Sequence, residues 1–270
     1  MDLIKQDLYK SLEENFYAPI PFAMDRDQFE EAMAAFFRFL EEPEDIKSHI
    51  NFSIAPKHRR GDVGYTHRNP EDHIYNDSKD FFHFHPAIFR QYPDFIEANP
   101  VVKDFLLKAQ PIWDLTFGTV DTILKTLDPI FPGIHGKVFD TPKEVHLVIR
   151  FLKYDWATSE KYLAKPHFDA GSFTLAIAES TPGLRIGSGP DNLALVTHKP
   201  GNAVFMMASN FQTVMETDKL APGWHDVIQL DETRIGLPFA RWAIVAFIDA
   251  HDVEALSRSE THKFYNPEAA

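Results

Sequence analysis

A change of periodicity near residue 140 limits the fold more than any other feature of the chain. Downstream of it, Val145, Leu147, Ile149 and Phe151 alternate along residues 145–154, which puts them on one face of a strand. Short apolar runs follow at 173–178, 184–186, 193–197, 203–207 and 242–248. Thr181-Pro182-Gly183, Gly187-Ser188-Gly189-Pro190, Lys199-Pro200-Gly201 and Ala221-Pro222-Gly223 separate them. Proline and glycine at such intervals turn the chain before a helix can form. Many short strands with this punctuation predict a sandwich or a barrel.

Upstream the period is helical. Phe29, Met33, Phe36, Phe37 and Leu40 recur at three- and four-residue steps over 27–42, and Pro43 closes the run. A second pattern over 101–127 passes through Phe105, Ala109, Ile112, Phe117, Val120, Ile123 and Leu127. Pro111 is expected to kink or split it, and Pro129 and Pro132-Gly133 end it. Residues 50–93 read as loop with short strands, in which Gly64-Tyr65 is either a turn holding a buried Tyr or part of a substrate mouth. The expected organisation is one structural domain in three parts. A helix-rich region at 1–140 packs on a β core at 141–250, and a tail follows at 251–270. With 44% apolar residues the chain has ample material for a core.

Composition removes several function classes. The net charge of −13 argues against nucleic acid or an anionic membrane as partner, since both need clustered Lys and Arg. Lys57-His58-Arg59-Arg60, the longest basic cluster, is too short to change this and reads as a solvated loop, with a substrate-gate cation as the alternative. The absence of cysteine excludes disulfides, thiolate nucleophiles and Cys-type metal sites. No apolar run reaches the length of a bilayer span, and Met1-Asp2-Leu3-Ile4-Lys5 lacks the apolar stretch of a signal peptide, so the expected address is the cytoplasm.

The chemistry-bearing stretch is Pro166-His167-Phe168-Asp169, with His225 fifty-six residues beyond Asp169. In extended chain, residues i and i+2 share a face, so His167 and Asp169 can converge on one ion while Phe168 points into packing. Two imidazoles and one carboxylate suit non-haem iron(II), because they leave coordination positions open. His198 is an alternative third ligand, and His83-Phe84-His85 is an alternative pair. Arg150 and Arg185 sit in strands, where each can face the interior and meet a substrate carboxylate, or face out into a surface ion pair.

The stretch from His167 to Leu175 is followed by Gly183-Leu184-Arg185-Ile186, Pro200-Gly201-Asn202-Ala203-Val204, Asn210-Phe211-Gln212, His225-Asp226-Val227 and Arg241. This order and spacing resembles the iron(II)/2-oxoglutarate-dependent oxygenases, in the branch of isopenicillin N synthase and the plant-type dioxygenases. That branch carries H-T-D-x-G-x-x-T-L, G-L-Q-V, P-G-A-x-V-V-N-x-G-D-x-Q, H-R-V and R-x-S. Gly64-Tyr65 and Asp77-Ser78-Lys79-Asp80-Phe81-Phe82 match its G-Y and D-x-K-E-x-F, so the resemblance covers about 25–250.

The resemblance implies a mainly β fold with helical additions, around a double-stranded β-helix (jelly-roll). It implies iron(II) on His167, Asp169 and His225, with 2-oxoglutarate and dioxygen as co-substrates and a small molecule as substrate. The expected outcome is hydroxylation, with desaturation or cyclisation as variants, and Asp169 argues against halogenation. Arg241 would clamp the distal carboxylate of 2-oxoglutarate, and Tyr154 matches the tyrosine of the branch's N-x-Y. The sequence departs from the pattern at Ala243, where the motif has Ser, at Leu152, where it has Asn, and in the interval of sixteen residues from His225 to Arg241. Arg234 is nearer the usual interval and is the alternative clamp. These departures keep open an oxidase of the same fold that binds no 2-oxoglutarate; a β-barrel binding protein is the non-enzymatic alternative.

Overall fold

The structure, a computed structural model, describes residues 2–54, 62–68, 78–140, 144–155, 162–234 and 237–251. The basic cluster at 57–60, Asp77 and nearly all of the 251–270 tail lie outside these. Twelve strands are present among the described residues: β1 (Ala18–Pro21), β2 (Phe52–Ser53), β3 (Asp62–Arg68), β4 (Lys79–Phe84), β5 (Leu147–Tyr154), β6 (Tyr162–His167), β7 (Phe173–Glu179), β8 (Leu184–Gly189), β9 (Asn192–Leu195), β10 (Asn202–Met207), β11 (Trp224–Ile228) and β12 (Arg241–Ile248). They form an eight-stranded sheet in the order β1-β10-β7-β12-β5-β4-β3-β2 and a four-stranded sheet in the order β6-β11-β8-β9. The two antiparallel sheets are the jelly-roll that the strand pattern and the resemblance predict. Four of the eight strands of the larger sheet come from before residue 140. Its edge strand β1 runs Ala18-Pro19-Ile20-Pro21 and pairs with β10.

The helices back the large sheet. Arg26–Leu40 buries Phe29, Met33, Phe36 and Phe39, against a predicted 27–42. Its rings meet those of the long helix Pro100–Leu127 and of the sheet: Phe36 to Phe105 at 5.3 Å, Phe105 to Phe151 at 5.1 Å and Phe39 to Phe82 at 5.3 Å between centroids. The long helix runs through Pro111 as one element, which corrects the expected break. Proline removes a single N–H bond, to the carbonyl of Leu107. Leu107 is 53% exposed and Pro111 is on the exposed face, so water can take that carbonyl.

Strand β5 shows how the fold divides apolar from polar. Leu147, Ile149 and Phe151 enter the helix-side core. Arg150, Leu152 and Tyr154 face the space between the sheets, where they line a cavity. Gly64 (φ +114°) holds a conformation that suits glycine, with Asn51 packed where a Cβ would stand. Tyr65 is buried beside Phe39 and donates to Asp80 Oδ1 at 2.7 Å. Of the two expectations for Gly64-Tyr65, the buried tyrosine is the one observed.

Candidate active site

The cavity lies between the sheets, and His167, Asp169 and His225 share its wall. Pairing of β11 with β6 sets His225 opposite His167 as Cα partners, which brings the distant His to the His-x-Asp pair. His167 Nε2 is 3.8 Å from Asp169 Oδ1, and His225 Nε2 is 3.5 Å from Asp169 Oδ2. The two imidazole centroids are 4.4 Å apart.

Each remaining imidazole nitrogen has a backbone partner. His167 Nδ1 donates to the carbonyl of Lys165 at 2.6 Å, and His225 Nδ1 to that of Gly223 at 3.0 Å. Those bonds select the tautomer that leaves Nε2 as a lone-pair donor facing the centre. Thr174 Oγ1 donates to Asp169 Oδ2 at 2.8 Å and orients the carboxylate. Phe168 turns away and packs edge-on against Trp224 at 4.8 Å.

This donor set fits iron(II). Bonds near 2.1 Å at right angles put neighbouring donors roughly 3 Å apart, so the three groups need only a small contraction to share one ion. Two nitrogens and one oxygen leave half of an octahedron for other ligands. Among the described residues, one other grouping has metal-ligand composition: His67, Asp80 and Asp155. Lys153 bonds to Asp155 and stands 3.6 Å from Asp80, so that cluster is an ion-pair network. The alternative ligands sit elsewhere. His198 Nδ1 is 3.2 Å from Glu179 Oε1, His83 Nε2 accepts from Arg150, and His85 packs on Trp113.

A second group of charges occupies the far end of the cavity. In register across three strands stand Lys79, Tyr154 and Arg241. Arg241 is 2% exposed; its Nη2 bonds to Glu179 and its Nε donates to the carbonyl of Thr181 at 3.0 Å. Arg234 is no part of this wall. It pairs with Asp231 at 3.3 Å in the segment before β12 and reaches the carbonyl of Ala240. Arg185 also points away from the cavity and binds Asp226 through two bonds of 2.8 and 2.5 Å. Arg150 faces inward.

Lys79, Thr174, Glu179 and Phe247 also line the cavity, without a site role expected from the sequence. Thr174 is even-numbered on β7, two steps from Ala176, so strand alternation alone could have found it. Glu179 could not be found that way. A register shift opposite Ile244/Val245 reverses the alternation, and Glu179 pairs with the inward-facing Ala243.

No family model matches the chain, and no curated protein matches it in sequence. Solved structures do. One is a putative 2OG-Fe(II) oxygenase family protein from Caulobacter crescentus, with TM-score 0.68 and 17% identity over 97% of this chain and 89% of that one. A second is the dioxygenase for auxin oxidation 1 from Arabidopsis thaliana in its 2-oxoglutarate complex, with TM-score 0.68 and 14% identity over 94% and 91%. A third is a full-length Neurospora crassa protein in complex with alpha-KG and thymine, with TM-score 0.68 and 14% identity over 95% and 85%. The chain shares the fold of these proteins over nearly its whole length.

Proposed function

We propose that this chain is a non-haem iron(II), 2-oxoglutarate-dependent dioxygenase that oxidises a C–H bond of a small organic molecule. The observation that carries the reading is the convergence of two tautomer-locked imidazoles and one oriented carboxylate on a cavity that ends in a buried arginine. Similar folds hold 2-oxoglutarate in the auxin dioxygenase and alpha-KG with thymine in the Neurospora protein, which supports a small-molecule substrate here. A cytoplasmic address belongs to the same proposal, since a chain without cysteine asks nothing of an oxidising compartment. No helix among the described residues is long and apolar enough to cross a membrane.

His167, Asp169 and His225 would hold the metal, and Thr174 with the carbonyls of Lys165 and Gly223 would keep its ligands aimed. Arg241 would take the distal carboxylate of 2-oxoglutarate, with Tyr154 beside it, because a planar guanidinium matches two carboxylate oxygens. Iron(II), 2-oxoglutarate and dioxygen together supply an oxidant for an unactivated C–H bond, the oxo acid leaving as succinate and carbon dioxide. Ala164, Ala176, Met206 and Val227 line the middle of the cavity and keep water from the reacting atoms. Hydroxylation is the default; desaturation or ring closure would use the same residues with the substrate placed differently.

The Glu179–Arg241 pair favours a second reading, an oxidase of this fold that takes all its electrons from substrate. One experiment separates the two. Anaerobic protein receives iron(II) and then 2-oxoglutarate. The dioxygenase gives a weak visible charge-transfer band and later one succinate per turnover. Iron binding without the band selects the oxidase, and no iron binding rejects both.

A further inference from the structure

The carboxylate that holds Arg241 has a second neighbour. Glu179 bonds to Arg241 Nη2 through Oε2, and its other oxygen, Oε1, stands 3.2 Å from His198 Nδ1. Arg241 Nε is already on the carbonyl of Thr181, so a co-substrate carboxylate meets a guanidinium engaged at two of its three nitrogens. The backbone of Glu179 is fixed from outside, because Arg26 Nη1 donates to its carbonyl at 2.7 Å. The side chain of Glu179 is the part that can move.

His198 is placed so that neither of its neutral forms fits. Its Nε2 is 3.0 Å from the carbonyl of Ala176, and a carbonyl only accepts. With the ring proton on Nε2, Nδ1 turns a bare lone pair on Glu179. With the proton on Nδ1, the bare lone pair falls on the carbonyl instead. The imidazolium alone gives a donor to each oxygen. Nδ1 is buried and makes no hydrogen bond among the described residues, so the carboxylate must close on the ring for that bond to form. Closing it loosens the hold of Glu179 on Arg241.

The pair is also a partition. Glu179 and His198 line the active-site cavity on one side. On the other they line a hollow with Asp25, Arg26 and Lys199, all three exposed. The hollow gives His198 a route to exchange protons with solvent while the cavity is filled. The charged and titratable groups around the ring are therefore Glu179 from β7, Asp25 and Arg26 from the start of their helix, and the adjacent Lys199. Beyond Glu179 stands Arg241 from β12, with Lys79 and Tyr154 in register beside it.

We propose that His198 is a proton-linked positioning residue for the co-substrate clamp. A proton from solvent settles on Nδ1 and draws Glu179 to the imidazolium. Arg241 then turns from its internal partner to the distal carboxylate of 2-oxoglutarate. Where the free imidazole is neutral, the bound form carries one proton more than the free form, so falling pH tightens binding. This regulation rests on the dioxygenase reading for the identity of the co-substrate.

The test is calorimetry of anaerobic, iron(II)-loaded protein with 2-oxoglutarate in buffers of different ionisation heat, which counts the protons taken up on binding. Wild type is expected to take up between about half a proton and one, and to bind about three- to ten-fold more tightly at about pH 7 than at about pH 8. His198→Gln and Glu179→Gln should both abolish the uptake, with opposite effects on affinity at the lower pH. His198→Gln binds more weakly than wild type and Glu179→Gln more tightly, a pattern that a merely structural role for His198 would not give. No uptake by wild type, or uptake that survives either variant, overturns the proposal. If His198→Gln does not fold, the wild-type count and Glu179→Gln decide. If iron(II) and 2-oxoglutarate give no charge-transfer band, the functional reading fails instead. Glutarate, which keeps the distal carboxylate and has no keto group, is then titrated into metal-free protein. Proton uptake that His198→Gln removes sustains the switch, and no binding or no uptake overturns it.

Discussion

Glu179→Gln should destabilise the free protein and tighten its hold on 2-oxoglutarate, two effects of opposite sign from one atom change. Glu179 is 6% exposed, Arg241 is 2% exposed, and they bond directly. Removing the charge from one member of such a pair costs about 3–5 kcal/mol when nothing replaces it. The amide oxygen of Gln can still accept one hydrogen bond, so about 2–3 kcal/mol is expected. In the proposed loaded state the balance reverses, because the distal carboxylate of 2-oxoglutarate would share Arg241 with Glu179. Two carboxylates about 5 Å apart repel by roughly 3 kcal/mol at an effective dielectric of about 20. Recovering half of that corresponds to about a tenfold lower dissociation constant. Urea denaturation of metal-free protein measures the first effect, and titration of the charge-transfer band measures the second. Weaker 2-oxoglutarate binding in the variant would refute the reasoning, since Glu179 would then be helping to hold the co-substrate.

Other consequences can be checked separately. Thr174→Val removes the bond that orients Asp169 and should lower iron(II) affinity about ten- to a hundred-fold, read by competition with a chromogenic chelator. Asp226→Asn takes the carboxylate of a fully buried residue from Arg185, whose side chain is 22% exposed, and should cost about 1–3 kcal/mol of stability. Because Asp226 faces away from the metal ligands, iron affinity should stay unchanged. Burial pushes the His85 imidazole down to about 4, so it stays neutral in the fold while the unfolded chain takes up a proton near its ordinary 6.5. Stability is then lost as pH falls from about 6.5 towards 4, by about 3 kcal/mol. Urea midpoints at pH 7 and 4.5 measure this, and His85→Gln should remove most of the difference.

The grouping of His167, Asp169 and His225 is legible in the sequence because its signal is local. A His-x-Asp pair in extended chain aims both groups one way, and a strand after a turn supplies the partner His. Six of the eight strands after residue 140 are likewise legible from alternation and from Pro-Gly punctuation. What escaped was set by pairing between distant strands. Lys79 reaches the cavity because β4 lies beside β5, and nothing in residues 79–84 says which strand they join. Glu179 faces inward because its own strand skips Ile177 in the pairing with β12. Arg241 begins β12 and lines the cavity while Arg234 lies in the short helical turn Glu232–Arg234 ahead of it, a difference that the interval from His225 does not show.

The edge of the large sheet has a consequence for the chain's behaviour in company. Proline has no N–H, so the residues of β1 that donate to β10 are Ala18 and Ile20, and the donor positions on its open side fall to Pro19 and Pro21. That side offers carbonyls alone. A strand from another molecule would find acceptors and no donors there, and cannot complete an antiparallel ladder. At the opposite end, among the described residues, the sheet ends with β2, two residues long. The β1 edge of the eight-stranded sheet is thus closed to growth by chemistry, which guards that edge against pairing with another molecule in a crowded solution.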